Sequence, residues 1–107
     1  MSDLAQLIDL VDEKLSSIEV NVGFRPGASS AYELWLDYDH KCRPEFDRVF
    51  FELASEAAFQ AGSWFPVLWW VQLAGNEAKS NKGYEDALRN WQTAARRQID
   101  REAAHHA

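Results

Sequence analysis

The chain has 107 residues, of which 47% are hydrophobic and 13% aromatic, and its net charge is −6. This length predicts one domain over residues 1–107 with an aromatic core, and the single cysteine, Cys42, excludes an intramolecular disulfide. The acidic charge disfavours direct binding to nucleic acid, and the lack of an apolar run of about 18 residues disfavours a membrane span. With no charged and apolar leader, the simplest interpretation is a protein of the reducing cytoplasm.

The first predicted element is a helix over about residues 2–16. Apolar residues at spacings of three and four residues share one core face: Leu4, Leu7, Ile8, Val11, Leu15 and Ile18. Asp9, Asp12 and Glu13 lie off that face.

A change of period follows this helix. Apolar and polar residues alternate over 18–24 and again over 32–38, on either side of a Pro-Gly turn. This pattern predicts an antiparallel β-hairpin at about 17–39, packed against helices. As an alternative, Ser30 and Glu33 fit a capping box that would begin a helix and favour an all-α bundle.

Three further helices are predicted after the hairpin. Together with the first helix and the hairpin, they make the predicted fold class α+β. The first begins at Pro44 and ends near Gly62. Residues 63–75 are almost entirely apolar and are interpreted as the second helix, with a strand as the alternative. A polar connector over 76–83 precedes the last helix, Tyr84 to Glu102, and a frayed tail over 103–107.

Residues with catalytic or metal-binding chemistry are sparse. Asp37, Asp39, His40 and Cys42 form the densest cluster, but neither a strand nor a helix brings all four together, and no paired Cys or His motif supports them. The sequence therefore predicts a protein that is not an enzyme and has no metal or cofactor.

Negative charge is concentrated in the first part of the chain. Residues 1–60 hold twelve Asp and Glu against five Lys and Arg, whereas residues 61–107 hold five against six. On the predicted second strand, Glu33, Asp37 and Asp39 would form a row of carboxylates with Trp35 among them. Such a row predicts a partner-binding site for a basic protein surface, including one that normally holds nucleic acid.

These features predict a small acidic protein-binding module. In size and charge alone it is similar to inhibitors and immunity proteins of bacteria and their phages. The alternative function is a nucleic-acid-binding regulator that uses the arginines of the last helix, Arg89, Arg96, Arg97 and Arg101. A second apolar stripe, Phe51 and Phe59, on the helix that begins at Pro44 predicts a homodimer interface.

Overall fold

The computed structural model describes residues 4–64 and 67–106. Three helices are present, α1 (Leu4–Val22), α2 (Tyr32–Glu56) and α3 (Tyr84–His106). Between α2 and α3 lies an antiparallel sheet of three strands, β1 (Phe59–Trp64), β2 (Leu68–Leu73) and β3 (Asn76–Ser80), in the order β1-β2-β3. The predicted α+β class is confirmed, and the all-α alternative is wrong.

Helix α1 is longer than the sequence pattern predicted. Its buried residues are Leu7, Ile8, Val11, Leu15 and Ile18. Beyond residue 16 the spacing of four continues, since Ile18 is buried and Val22 half-buried, whereas Val20 between them is 83% exposed. Gly23 ends the helix at a φ of 101°, a conformation that a glycine adopts without steric cost.

The predicted hairpin at 17–39 is wrong, because its first strand is the end of α1 and its second is the start of α2. The apolar residues in both alternating runs are also compatible with a helix, in which some of them face the core and others are exposed. The helix that Ser30 and Glu33 indicated does begin at Tyr32, although Ala31 occupies the N-cap position without a side-chain hydrogen bond. The antiparallel hairpins of this protein lie later in the chain, where the sequence pattern indicated a helix and a connector.

Helix α2 continues through Pro44 and ends before the predicted stop at Gly62. Pro44 therefore lies inside the helix, not at its first turn, and the last helical residue is Glu56. Buried residues on its inner side are Cys42, Val49 and Leu53. Gly62 belongs to β1 instead.

Residues 63–75 contribute to β1 and β2, so the predicted helix there is wrong and the strand alternative is right. The predicted connector at 76–83 contains β3. On the inner face of the sheet, Val71 of β2 lies between Ala61 and Ala78 of the neighbouring strands. This face packs against α3, and β1 also contacts α2.

The turn between β2 and β3 has an unusual residue. Ala74 and Gly75 have φ values of 54° and 79°, as in the two-residue type I′ turn that favours Asn-Gly. Alanine adopts a positive φ at a cost of about 1–2 kcal/mol.

We therefore expect Ala74→Asn to raise the free energy of unfolding by about 0.5–1 kcal/mol, because asparagine tolerates this conformation. Urea denaturation followed by circular dichroism measures the change. Gly75→Ala is the matched control and is expected to lower stability. A less stable Ala74→Asn variant would contradict the role assigned to this turn.

Helix α3 connects the other elements. Trp91 and Gln92 are both buried, and their side chains donate to backbone carbonyls of two different elements. The indole Nε1 of Trp91 lies 3.0 Å from the carbonyl oxygen of Leu73 in β2. The amide Nε2 of Gln92 lies 3.2 Å from the carbonyl oxygen of Ile8 in α1. The core thus includes both the helical part and the sheet.

Candidate functional site

The solvent side of α1 carries an acidic face made of Asp9, Asp12, Glu13 and Glu19. All four side chains are exposed. At 100° per residue, Asp9 and Glu13 lie opposite the buried residues, whereas Asp12 and Glu19 lie together on one flank. The four side chains extend over about 15 Å of helix. Among the residues that the structure describes, no lysine or arginine forms an ion pair with any of them. The acidic face is therefore an uncompensated negative surface.

Two exposed apolar side chains lie at the C-terminal end of the acidic face. Val20 lies on the same side of α1 as Asp9 and Glu13 and is 83% exposed, and Phe24, just past Gly23, is 86% exposed. The backbone N–H of Gly23 donates to the Glu19 carbonyl at 2.8 Å, which fixes where the chain leaves the helix. Apolar side chains beside charges are typical of protein interfaces, where an aromatic residue often supplies much of the binding energy.

The positively charged side chains next to α1 form ion pairs with carboxylates of α2. Lys14 forms an ion pair with Glu52. The Arg48 guanidinium lies 2.8 Å from Glu45, 3.0 Å from Glu52 and 2.9 Å from the Ser17 hydroxyl. This network attaches α1 to α2 on the side away from the acidic face, and so leaves the acidic face without positive charge.

The network and one further ion pair give the protein an acid-sensitive stability. Hydrogen bonds from Arg48 hold the pKa of Glu45 below its usual range, and Lys14 does the same for Glu52. Likewise, the Arg25 guanidinium, 2.7 Å from Asp86, lowers the pKa of that carboxyl. Each group binds its proton more weakly in the folded chain than in the unfolded chain.

We therefore expect stability from these groups to be complete at neutral pH and to be lost as the pH falls below about 4. Urea denaturation at a series of pH values between 7 and 2 measures this loss. Arg48→Gln should make the profile shallower, because Glu45 and Glu52 then titrate closer to their unfolded values. An unchanged profile in that variant would contradict the assignment.

The predicted row of Glu33, Trp35, Asp37 and Asp39 is divided between two sides of α2. On a helix, Glu33 and Asp37 share one side, whereas Trp35 and Asp39 share another. Asp37 pairs with Lys41 at 2.8 Å and Asp39 with Arg43 at 3.4 Å, both in exposed positions. The strand geometry behind this prediction is therefore wrong, and its partner-binding role stays a prediction.

Trp35 holds the segment between α1 and α2. It is half-buried, and its Nε1 donates to the Gly27 carbonyl at 3.2 Å. The Arg25 guanidinium carbon lies 5.4 Å from the centre of the indole ring, within the range of a cation–π interaction. Tyr38 contacts the same ring edge-on, at 6.2 Å between ring centres. These contacts give Trp35 a structural role in place of the predicted exposed position.

Phe51 and Phe59 do not form the predicted stripe on one helix. Phe59 begins β1 and packs against Phe50, with 5.1 Å between the ring centres. Phe51 points away and is 79% exposed. The homodimer predicted from this pair stays a prediction, without the shared face that suggested it.

Four arginines predicted as an alternative binding site lie on α3, and the cluster of Asp37, Asp39, His40 and Cys42 lies on α2. Arg89 pairs with Glu85 at 3.3 Å, and the other three arginines, Arg96, Arg97 and Arg101, are exposed. Within residues 4–64 and 67–106, no group of three or more His, Cys, Asp and Glu is arranged to hold a metal ion. Cys42 is buried whereas His40 is exposed, so the two side chains do not converge.

Sequence reasoning placed Asp9, Asp12 and Glu13 off the apolar face of the first helix but did not interpret them as a site. The available signal was the spacing of these three acids, which places them off the apolar face of one helix. Phe24 was missed because the alternating pattern assigned it to a strand.

Across the described ranges, no helix combines the length and apolarity needed to cross a membrane. Comparison with protein-family models, with curated proteins and with solved structures found no match for this chain.

Proposed function

We propose that this protein is a small acidic binding module that uses α1 to occupy a basic surface on another protein. The observation that supports the proposal is the acidic face of α1, which forms no ion pair with a cation in the described part of the chain and ends in the exposed side chains of Val20 and Phe24. Uncompensated charge speeds the encounter with a surface of opposite sign. In this proposal the protein is an inhibitor or accessory protein of the partner whose basic surface it covers.

Charge and apolar contact have separate roles in this proposal. Exposed ion pairs contribute only about 0–1 kcal/mol each, so the carboxylates mainly raise the association rate. Burial of Phe24 removes a large apolar side chain from water and slows dissociation. The partner surface can be one that normally binds phosphates. The Arg and Lys side chains that bind phosphates also bind carboxylates.

The test begins with capture of partners from a native-host lysate and identification by mass spectrometry, followed by binding kinetics with the purified partner. Asp12→Lys with Glu13→Lys is expected to lower the association rate by about tenfold or more at low salt. Phe24→Ala is expected to raise the dissociation rate by about tenfold or more.

Asp37→Lys with Asp39→Lys is the matched control, because it changes the net charge equally but on α2. If both double variants slow association equally, total charge and not the acidic face controls binding. A larger effect of the control would place the site on α2, at the residues that the sequence pattern predicted.

The second candidate function is a regulator that binds nucleic acid through α3. It is supported by the exposure of Arg96, Arg97 and Arg101, none of which forms an ion pair within the described part of the chain. Arg96→Gln with Arg97→Gln should then weaken DNA or RNA binding and reduce its dependence on salt concentration. Absence of measurable binding by the unmodified chain at low salt would reject this function.

A further inference from the structure

The two edges of the sheet differ in how they are protected against pairing with another strand. Strand β3 carries the exposed charges of Glu77 and Lys79, and the Asn90 side chain donates to the Lys79 carbonyl at 2.8 Å. Charged side chains and occupied backbone groups are common means of blocking an edge. Strand β1, Phe59–Trp64, has neither charge nor proline.

The outer edge of β1 also lacks hydrogen-bond partners of its own. Among the described residues, the backbone of β1 bonds to β2 and, through the Trp64 carbonyl, to the N–H of Val67 at 2.7 Å in the turn. Within residues 4–64 and 67–106, no side chain donates a hydrogen bond to a β1 carbonyl. A sheet edge in this state presents a row of N–H and C=O groups that another strand can complete.

We propose that β1 pairs with β1 of a second copy of this chain, in antiparallel orientation around a two-fold axis at Gly62. The two sheets then form one continuous sheet of six strands. An identical strand is the occupant because antiparallel pairing about a two-fold axis places the same surface on both copies. The absence of charged residues in β1 also favours a second copy. Although the whole chain has a charge of −6, two copies can meet at this strand without repulsion between charged side chains of the strand.

The alternation of side chains limits the register of this pairing. Gln60, Gly62 and Trp64 face the outer side of the sheet, opposite the core, and must pair with residues that face the same side. An axis at Gly62 places Gln60 opposite Trp64 of the second copy. The other end of β1 is less accessible, because Phe59 is packed against Phe50 of α2.

An aromatic cluster lies on the outer face next to this edge. Trp64 is 75% exposed, and the indole of Trp70 lies over Gly62, where an added Cβ would come within 2.7 Å of the ring. Pairing at Gly62 brings both copies of Trp70 and Trp64 into one apolar strip and covers part of the exposed rings. This burial adds to the backbone hydrogen bonds of the paired edges.

The size and charge of the interface determine how the dimer should behave. A strand of six residues is about 20 Å long, so the paired area is smaller than the roughly 800 Å² per partner of a standard interface. We therefore expect a dimer dissociation constant in the micromolar range or higher. Because both copies have a charge of −6, added salt should strengthen dimerisation. A complex with a basic partner has the opposite salt dependence, so the two proposals fail independently.

Sedimentation equilibrium between about 5 and 500 μM, at low and high salt, tests the proposal. The unmodified chain is expected to dimerise with concentration, more strongly at high salt. Gln60→Lys with Trp64→Lys places like charges opposite each other at two positions and should weaken the dimer by about tenfold or more. Gln60→Lys with Trp64→Glu places opposite charges there and should dimerise more strongly than the double lysine variant.

Glu77→Lys is the matched control, because it gives the same net charge as the double lysine variant but on the β3 edge. It is expected to leave dimerisation intact. Amide hydrogen exchange of the unmodified chain gives a second measurement, in which protection of 59–64 rises with concentration and that of 76–80 does not. A chain that stays monomeric at 500 μM and high salt overturns the proposal and indicates a strand of another protein as the occupant. Equal dimerisation of the two double variants overturns the register.

Discussion

Replacement of Trp91 by alanine is expected to lower the free energy of unfolding by about 3–5 kcal/mol. The Trp91 side chain is completely buried in α3, and its Nε1 donates to the Leu73 carbonyl of β2. Truncation removes the largest fully buried side chain and leaves a cavity between the helices and the sheet. Since small domains have total stabilities of about 5–15 kcal/mol, we expect this loss to lower the midpoint of thermal unfolding as well.

Trp91→Phe separates the two contributions of this residue. Phenylalanine keeps most of the apolar volume but removes the N–H donor, so we expect an intermediate loss of about 1–3 kcal/mol. Thr93→Ala, on the exposed side of the same helix, is the surface control. Urea denaturation followed by circular dichroism measures all three variants. A loss below about 1 kcal/mol for Trp91→Ala would contradict the central position of this side chain.

The Cys42 thiol is expected to react with a disulfide reagent about 100-fold or more slowly in the native protein than in the unfolded chain. Its side chain is only 2% exposed, and burial raises the pKa of the thiol. Because the thiolate is the reactive form, both burial and the higher pKa slow the reaction. Labelling therefore requires that α2 separate from its neighbours.

Labelling rates measured at increasing urea concentration show how large that opening is. A weak dependence on urea indicates a local opening of α2, whereas a dependence equal to that of global unfolding indicates loss of the whole core. Glu85→Gln is a useful comparison, because it weakens the hydrogen bond with the Tyr38 hydroxyl, 3.0 Å, one turn from Cys42. A native rate equal to the unfolded rate would contradict the burial of this thiol.

The elements predicted best from the sequence were those in which apolar residues recur with one clear spacing. Spacing of three and four residues identified the start of α1 and most of α3, because one apolar side of each faces the core. The prediction failed at Val20, where alternation suggested a strand although the residue lies on the exposed side of α1. Local pattern does not reveal which apolar residues are left in water.

The sheet was missed for a different reason. Strand β2 contacts strands on both sides and helix α3 on one face, and its sequence from Leu68 to Leu73 is apolar without a clear period. Such a run fits a buried helix equally well. The partners that decide between the two, Phe59–Trp64 and Asn76–Ser80, could not be recognised from β2 alone. The acidic face of α1, by contrast, depends only on helical spacing and was within reach of the sequence.

Pro44 has a consequence for the motions of this protein. A proline inside a helix provides no N–H for the carbonyl four residues earlier, here His40, and weakens the helix at that point. The segment from Tyr32 to Arg43 is about three turns long. It is attached to the rest of the molecule by few contacts, chiefly those of Trp35, Tyr38 and Cys42. Amide protons in this segment should therefore exchange with solvent as one group, and earlier than those of the second half of α2, whose Val49 and Leu53 are fully buried.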